Sequence, residues 1–362
     1  NWSKLKPKLW EWRIVTITTV TVGAIVIALR LTGFFQYLAW DAFDQFFQWR
    51  PLEPPDKRIV IVAIDEADIK ALGRWPMTDD KLAELLLKIK SQQPRAIGLD
   101  LYRNLPVEPG YEQLAKVFES TPNLIGIEKV APDSRGSTIS PAPILSKKGQ
   151  VAANDVPVDG DDRVRRGLLF LNPPNRRRIE GFALRLARIY LRGEGIRPKS
   201  AANGNMKLGK AVFTPFEPND GEYIEADAAG YQIILNYRHP PGSFITISLR
   251  EVLENRIKED LFRDRIVLIG PLAASLNDFF HTPFSGGFTQ ELQQMAGIEI
   301  QANIISQILS AAIEGRPLIK TWPDLVEKGW IFFWSFIGAI IAGKLPSWRW
   351  AAFSLLVAGG SL

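Results

Sequence analysis

From Ile14 to Leu29 every residue is apolar or small except for threonines. A run of this kind leaves one main option, a helix that crosses a membrane, because about 20 residues of helix span a ~30 Å hydrocarbon core. Arg30 interrupts the run near its outer end, where it can snorkel to the interface, and apolar character continues from Leu31 to Trp40. The expected span covers residues 14–36. A removed signal peptide is the competing reading, but the run is too long for one and no small-residue cleavage site follows it. A second span is expected at residues 326–343. A third begins at Trp350 and covers residues 350–362. The opening at Asn1 and the close at Leu362, inside an apolar run, read as boundaries of a fragment.

Lys4, Lys6, Lys8 and Arg13 precede the first span, opposed only by Glu11, and Lys344 and Arg349 stand between the second and third. Positive residues collect on the cytoplasmic side, and both clusters give the same orientation. Residues 1–13 then form a basic cytoplasmic segment, and residues 40–322 form a domain outside the inner or plasma membrane. Trp2, Trp10, Trp12, Trp348 and Trp350 suit interfacial belts. The alternative is a soluble protein with two buried core helices, which leaves the flanking charges as coincidence.

The net charge of +5 is scattered or lies beside the apolar runs, which argues against a nucleic-acid partner. The absence of cysteine excludes thiolate zinc sites, iron–sulfur centres and disulfides.

In the middle of the chain, residues 58–65 (RIVIVAID) read as a strand buried on both faces. Leu82, Leu85, Leu86 and Ile89 follow at helical spacing from an acidic start, Thr78-Asp79-Asp80. A strand at 96–99, a helix at 110–119 and a strand at 123–127 complete an alternating pattern. That alternation predicts an α/β fold, a largely parallel sheet flanked by helices. Further strands are expected at 164–170, 231–237 and 266–270, and helices at 181–192 and 296–312. Residues 192–230, rich in Gly, Asn and Pro, read as an irregular excursion or a small β insertion.

Four strings carry a resemblance: RIVIVAIDEADIKALGRWP (58–76), PRAIGLDLYRNLPV (94–107), RIVLIGPLAASLNDFFHTPF (265–284) and MAGIEIQANIISQIL (295–309). In content, order and spacing they resemble the second type of CHASE domain, an extracellular sensory module of cyclases and sensor kinases, in a version similar to the cyanobacterial ones. The resemblance covers about residues 43–318. It implies one helix before the sensor and three after it, followed by an effector beyond Leu362: a nucleotide cyclase, a protein kinase or a diguanylate cyclase.

Asp65, Asp100 and Glu128 stand at the C-terminal ends of expected parallel strands, the edge at which open α/β sheets bind ligands at a switch point in strand order. Glu66, Asp68, Arg74, Arg103, Asn104, Asn154, Asp155 and Asp278 belong near the same rim. The ligand-binding candidates are Asp65, Glu66, Arg74, Trp75, Asp100, Arg103 and Asp278. Helix capping is the alternative for the acids, above all for Asp65 before a short helix, and packing over the sheet edge is the alternative for Trp75. His239 and His281 lie far apart without metal-site spacing, so no metal is expected. The basic positions Arg185, Arg188 and Arg192 read as a solvated helix face. No nucleophile elbow, phosphate loop or kinase signature is present, so the visible chain reads as non-catalytic and without cofactor.

The expected function is therefore a transmembrane receptor module that senses an unknown stimulus and relays it to a cytoplasmic effector. The expected partners are the membrane, an extracytoplasmic ligand or protein, and a second copy of the chain, for which Gly338 and Ala342 allow close helix contact. Two other readings stay open at this point. One is a membrane-anchored binding or scaffold protein without an effector. The other is an extracytoplasmic enzyme using the rim carboxylates.

Overall fold

The computed structural model describes residues 2–132, 136–174, 176–286 and 293–344. The third expected span, residues 350–362, lies outside the described residues. The chain divides into two compact units. One comprises Phe43–Phe216 and Ala228–Ile319, and the other Asn1–Ala42, Glu217–Asp227 and Lys320–Leu362.

The larger unit is built on a six-stranded, wholly parallel sheet. Its strands are β1 (Ile59–Ile64), β2 (Ala96–Leu99), β3 (Leu124–Glu128), β4 (Val151–Ala153), β11 (Ile245–Ser248) and β12 (Ile266–Pro271). Their order is β11-β1-β12-β2-β3-β4. All six residues of β1 are buried, because helices cover both faces of the sheet. Val60, Val62 and Ile64 pack towards α4 (Asp79–Ser91), α5 (Tyr111–Ser120), α6 (Pro143–Lys147) and α8 (Leu249–Leu253). Ile59, Ile61 and Ala63 pack towards α7 (Phe182–Gly193) and α9 (Gly297–Ile313). The close approach of α7 depends on Gly98 in β2: a Cβ there would lie 2.6 Å from Leu186 and 2.7 Å from Phe182.

The expected α/β class and parallel sheet are present. The connections β1 to β2, β2 to β3, β3 to β4 and β11 to β12 all step the same way along the sheet, so their helices share one face. The other face is covered by helices outside those crossovers, α7 in the excursion between β4 and β11, and α9 after β12. That excursion holds β5 (Arg166–Leu171), β6 (Ile179–Glu180) and β10 (Tyr231–Ile234), which form an antiparallel sheet. It also holds the meander β7 (Lys199–Ser200), β8 (Met206–Leu208) and β9 (Ala211–Phe213). A short antiparallel pair, β13 (Phe279–Phe280) and β14 (Met295–Ala296), leads into α9.

A buried ion network runs beneath this excursion. Arg165, whose side chain is 1% exposed, holds Asp44, Asp159 and Asp161, while Arg163 holds Asp44 and Arg166 holds Asp159.

The smaller unit is formed by α1 (Trp2–Leu31), the start of α2 (Gln36–Trp49), residues 217–227 and α10 (Asp324–Lys344). Residues 12–31 and 324–343 make two helices long and apolar enough to cross a membrane. Trp12 stacks near Phe336, the backbone of Gly23 lies against Phe332, and Arg30 meets Glu327, so α1 and α10 run antiparallel. Residues 217–227 close over the end of this pair. Arg30 donates to Glu222 (3.3 Å), to the Gly221 carbonyl (2.6 Å) and to Glu327. Thr321 donates to Asp220 (2.9 Å), the Ile224 amide donates to Gln36 (2.9 Å), and the Trp40 and Tyr223 rings meet at 5.1 Å. The apolar stretch after Arg30 is a turn and a second helix rather than more of the first, with Gly33 at φ +74° making the turn.

Candidate functional site

All six parallel strands end on one edge, and the chain leaves most of them through acidic or amide side chains. Local structure already occupies several. Asp65, after β1, accepts from the Asp68 amide (2.6 Å), and Asp68 accepts from the Asp65 amide (3.0 Å), which closes a capping box on the helix α3 (Glu66–Leu72). Arg250 binds Asp68 in turn (2.8 Å). Glu66 accepts from the amide (2.8 Å) and hydroxyl (3.1 Å) of Ser275. Arg74 is exposed and reaches the Glu108 carbonyl (3.3 Å), and Trp75 packs half-buried against the α4 side of the core. At the end of β3, Glu128 takes both contacts of Arg176 (2.9 and 3.1 Å).

Asp100, Asp278, Asp155 and Tyr102 form a group of a different kind. Asp100 follows β2 and is 6% exposed. Its Oδ1 accepts from Asn154 Nδ2 (2.6 Å), and Asn154 Oδ1 accepts from Gln301 Nε2 on α9 (2.8 Å). This chain fixes the amide orientation of Asn154 and leaves Asp100 Oδ2 buried without a hydrogen-bond partner. Burial pushes the Asp100 carboxyl well above the usual range, and the nearby Asp278 charge adds to the rise. Burial also raises Asp278, which lies against the start of α9, where a Cβ on Gly297 would come within 2.6 Å of its Oδ2. Asp155, raised by burial, is held by the amides of Val130 (3.0 Å) and Ala131 (2.7 Å). The Tyr102 phenol, on a residue 38% exposed, is pushed up by partial burial and, after that, by the charges of Asp100, Asp155 and Asp278. Among the described residues none of the three has a salt bridge, and no set of His, Asp or Glu has metal-ligating geometry.

Chemically this is a buried acid beside a second carboxyl, suited to hold a proton or to accept from an N–H donor. The proton linkage has a definite sign. The folded state keeps a proton on Asp100 above the pH at which the unfolded chain releases it. Its contribution to stability is therefore present in acid and is lost as pH rises through the folded pKa. Asp100→Asn is expected to flatten that dependence and to stabilise the domain at pH 8 by on the order of 1 kcal/mol. Urea unfolding across pH reads this directly, and an unchanged profile would refute a protonated Asp100.

Arg103 does not join this cluster. Its side chain is buried opposite Asp79, 3.6 Å away. Asn104 is half-buried in the same segment. His239 is buried against Phe244, and burial lowers its pKa to about 4, so it is neutral at pH 7. His281 contacts Gln294 (3.2 Å). Arg185 and Arg188 close on Glu180 rather than pointing freely into solvent.

Sequence reasoning missed Tyr102 and Gln301. The available signal for Gln301 was the string Glu299, Gln301, Asn303, Ser306, Gln307 and Ser310 in an otherwise apolar helix. All six are buried, and buried polar groups need partners. Asn303 accepts from the amides of Arg238 and His239, and Gln307 accepts from the Asn236 amide.

Neither the curated proteins nor the solved structures contain a match to this chain. Its residues 20–340 do match one family of sensory domains, a stretch that takes in the parallel sheet, the carboxylate cluster and most of both apolar helices. The chain belongs to the CHASE2 domain family.

Proposed function

We propose that this chain is the sensing portion of a membrane receptor. Residues 14–36 and 326–343 cross the inner or plasma membrane, residues 1–13 are cytoplasmic, and residues 40–322 form the extracytoplasmic sensor. The sensor relays its state to a cytoplasmic effector of nucleotide cyclase or protein kinase type, within a homodimer. The recognition site lies at the carboxyl edge of the sheet and centres on Asp100 and Asp278, while Asp65 and Glu66 serve its framework. The observation that carries this reading is a sensory-family domain lying in sequence between two apolar helices that pack antiparallel. Within the smaller unit, Arg30 of α1 binds both residues 221–222 and Glu327 of α10.

Because the chain has no cysteine, single cysteines test the orientation without background. Asn203→Cys, at an exposed position of the meander turn, is expected to react with an impermeant maleimide in intact cells. Ser3→Cys is expected to react only after the membrane is opened. The reverse pattern, or equal labelling, would overturn the orientation.

A further inference from the structure

Helix α2 carries large apolar residues on two opposite sides, and only one side is buried within the chain. Trp40 and Phe47, at i and i+7, belong to the buried side. Trp40 meets the Tyr223 ring, and Phe47 packs edge-on against Tyr237 and Phe284. The opposite side carries Leu38, Ala42, Phe46 and Trp49, and Leu52 prolongs it beyond the helix end. Leu38, Phe46 and Trp49 are 65%, 67% and 72% exposed. Asp41, at the edge, is the one charged residue of this side. A helix apolar on both sides needs an apolar medium on both, and a run of exposed apolar side chains marks a surface that is covered in use.

The path of the chain says what covers it. The last turn of α1 closes through the Gly33 amide, which donates to the Arg30 carbonyl (2.8 Å), and the Phe34 amide, which donates to that of Leu29 (3.3 Å). This bond pair, with Gly33 at φ +74°, stops a helix and redirects the chain. Only residues 32–35 then separate the apolar helix α1 from α2. The loop that accepts from Arg30 at Gly221 also donates from the Ile224 amide to Gln36, and its Tyr223 meets Trp40. The first turns of α2 are thereby held beside the end of α1. Phe34 and Tyr37 are exposed there, and so is Trp322 at the entry to α10, the same end of the antiparallel pair. Aromatic side chains of this kind collect where a bilayer meets water. We propose that α2 lies along the outer surface of the bilayer, with Leu38, Ala42, Phe46 and Trp49 seated between headgroups and acyl chains. The lipid contact then runs the length of the helix, about 21 Å. Lipid is favoured over a second copy of the chain because the open side begins within a few residues of the span and its large residues are mostly aromatic. The proposal rests on the reading of α1 as a membrane span.

The test places single nitroxide labels on the full chain in nanodiscs of phosphatidylcholine and phosphatidylglycerol, again without background from native cysteine. Leu38→Cys, Phe46→Cys and Trp49→Cys report on α2, and all three positions are exposed, so the label displaces no core side chain. Ile25→Cys, exposed on α1, is the lipid reference, and Asn203→Cys, in the exposed meander turn, is the water reference. Each label is exposed to oxygen, which concentrates in lipid, and to a nickel chelate, which stays in water. The ratio of oxygen to chelate collisions is expected to be severalfold higher at the three α2 labels than at Asn203→Cys, and close to that at Ile25→Cys. If Phe46→Cys and Trp49→Cys follow Asn203→Cys while Ile25→Cys remains in lipid, α2 stands in water. That result overturns the proposal and leaves the membrane span intact. Spin–spin broadening at Phe46→Cys or Trp49→Cys that disappears on dilution with unlabelled chain would make this side a contact between two copies, and overturns it too. Chelate access at Ile25→Cys would remove the membrane span and the proposal with it.

Discussion

Asp44→Ala is expected to remove on the order of 3–5 kcal/mol from the stability of the sensory domain, the range for breaking a buried ion pair from one side. Asp44 accepts from Arg165 Nε (2.8 Å) and Nη2 (2.7 Å) and from Arg163 Nη1 (2.6 Å). The alanine therefore takes a carboxylate from Arg163 and from Arg165, whose side chain is 1% exposed. Domains of this size have about 5–15 kcal/mol in total, so the variant is expected to sit near its unfolding threshold. Urea titration followed by tryptophan fluorescence measures the change. A loss under about 1 kcal/mol would put this pair in the class of weak surface bridges instead.

The second large effect is expected at Arg30. Arg30→Met leaves Glu222 and Glu327 without the guanidinium that both contact, and exposes the Gly221 carbonyl to an apolar side chain. Two carboxylates left near one another with little water should cost on the order of 3 kcal/mol and loosen residues 217–227 from α1 and α10. The charge account predicts a rescue. With Glu222→Gln and Glu327→Gln added, most of the lost stability should return, because no unpaired charge remains. Thermal unfolding in nanodiscs distinguishes the three chains, and a triple variant no better than the single one would show that hydrogen-bond geometry, not charge, holds the clamp.

The reach of sequence reasoning follows the strength of each physical signal. The run at residues 58–65 could be read because a strand covered on both faces has no polar position to interrupt it, and β1 is buried throughout. The helical spacing of Leu82, Leu85, Leu86 and Ile89 could be read because one face of α4 meets the sheet. The edge strands β4 and β11 went unread, being short and only partly buried. Helix α2 reads in sequence as continued apolar chain because it is apolar on two sides: Trp40 and Phe47 are buried, while Leu38, Phe46 and Trp49 are exposed. The acidic residues of the rim were found, but their separation into caps and an unpaired acid depends on partners distant in sequence. Ser275 for Glu66 and Asn154 for Asp100 are examples, and spacing does not announce them.

The Arg30 clamp also bears on how the protein is made. Arg30 is separated along the chain from Glu222 by 192 residues and from Glu327 by 297. While the chain is being synthesised, the first apolar helix therefore carries an unmatched positive charge until residue 222 is made, and a partly matched one until residue 327. A newly made α1 has no internal partner for that charge and must keep it in water or among lipid headgroups until Gly221 and Glu222 emerge, and its second carboxylate arrives only with α10. The last apolar helix thus completes the first, and a nascent chain that stops short of residue 327 is expected to hold its opening helix more loosely than the finished protein does.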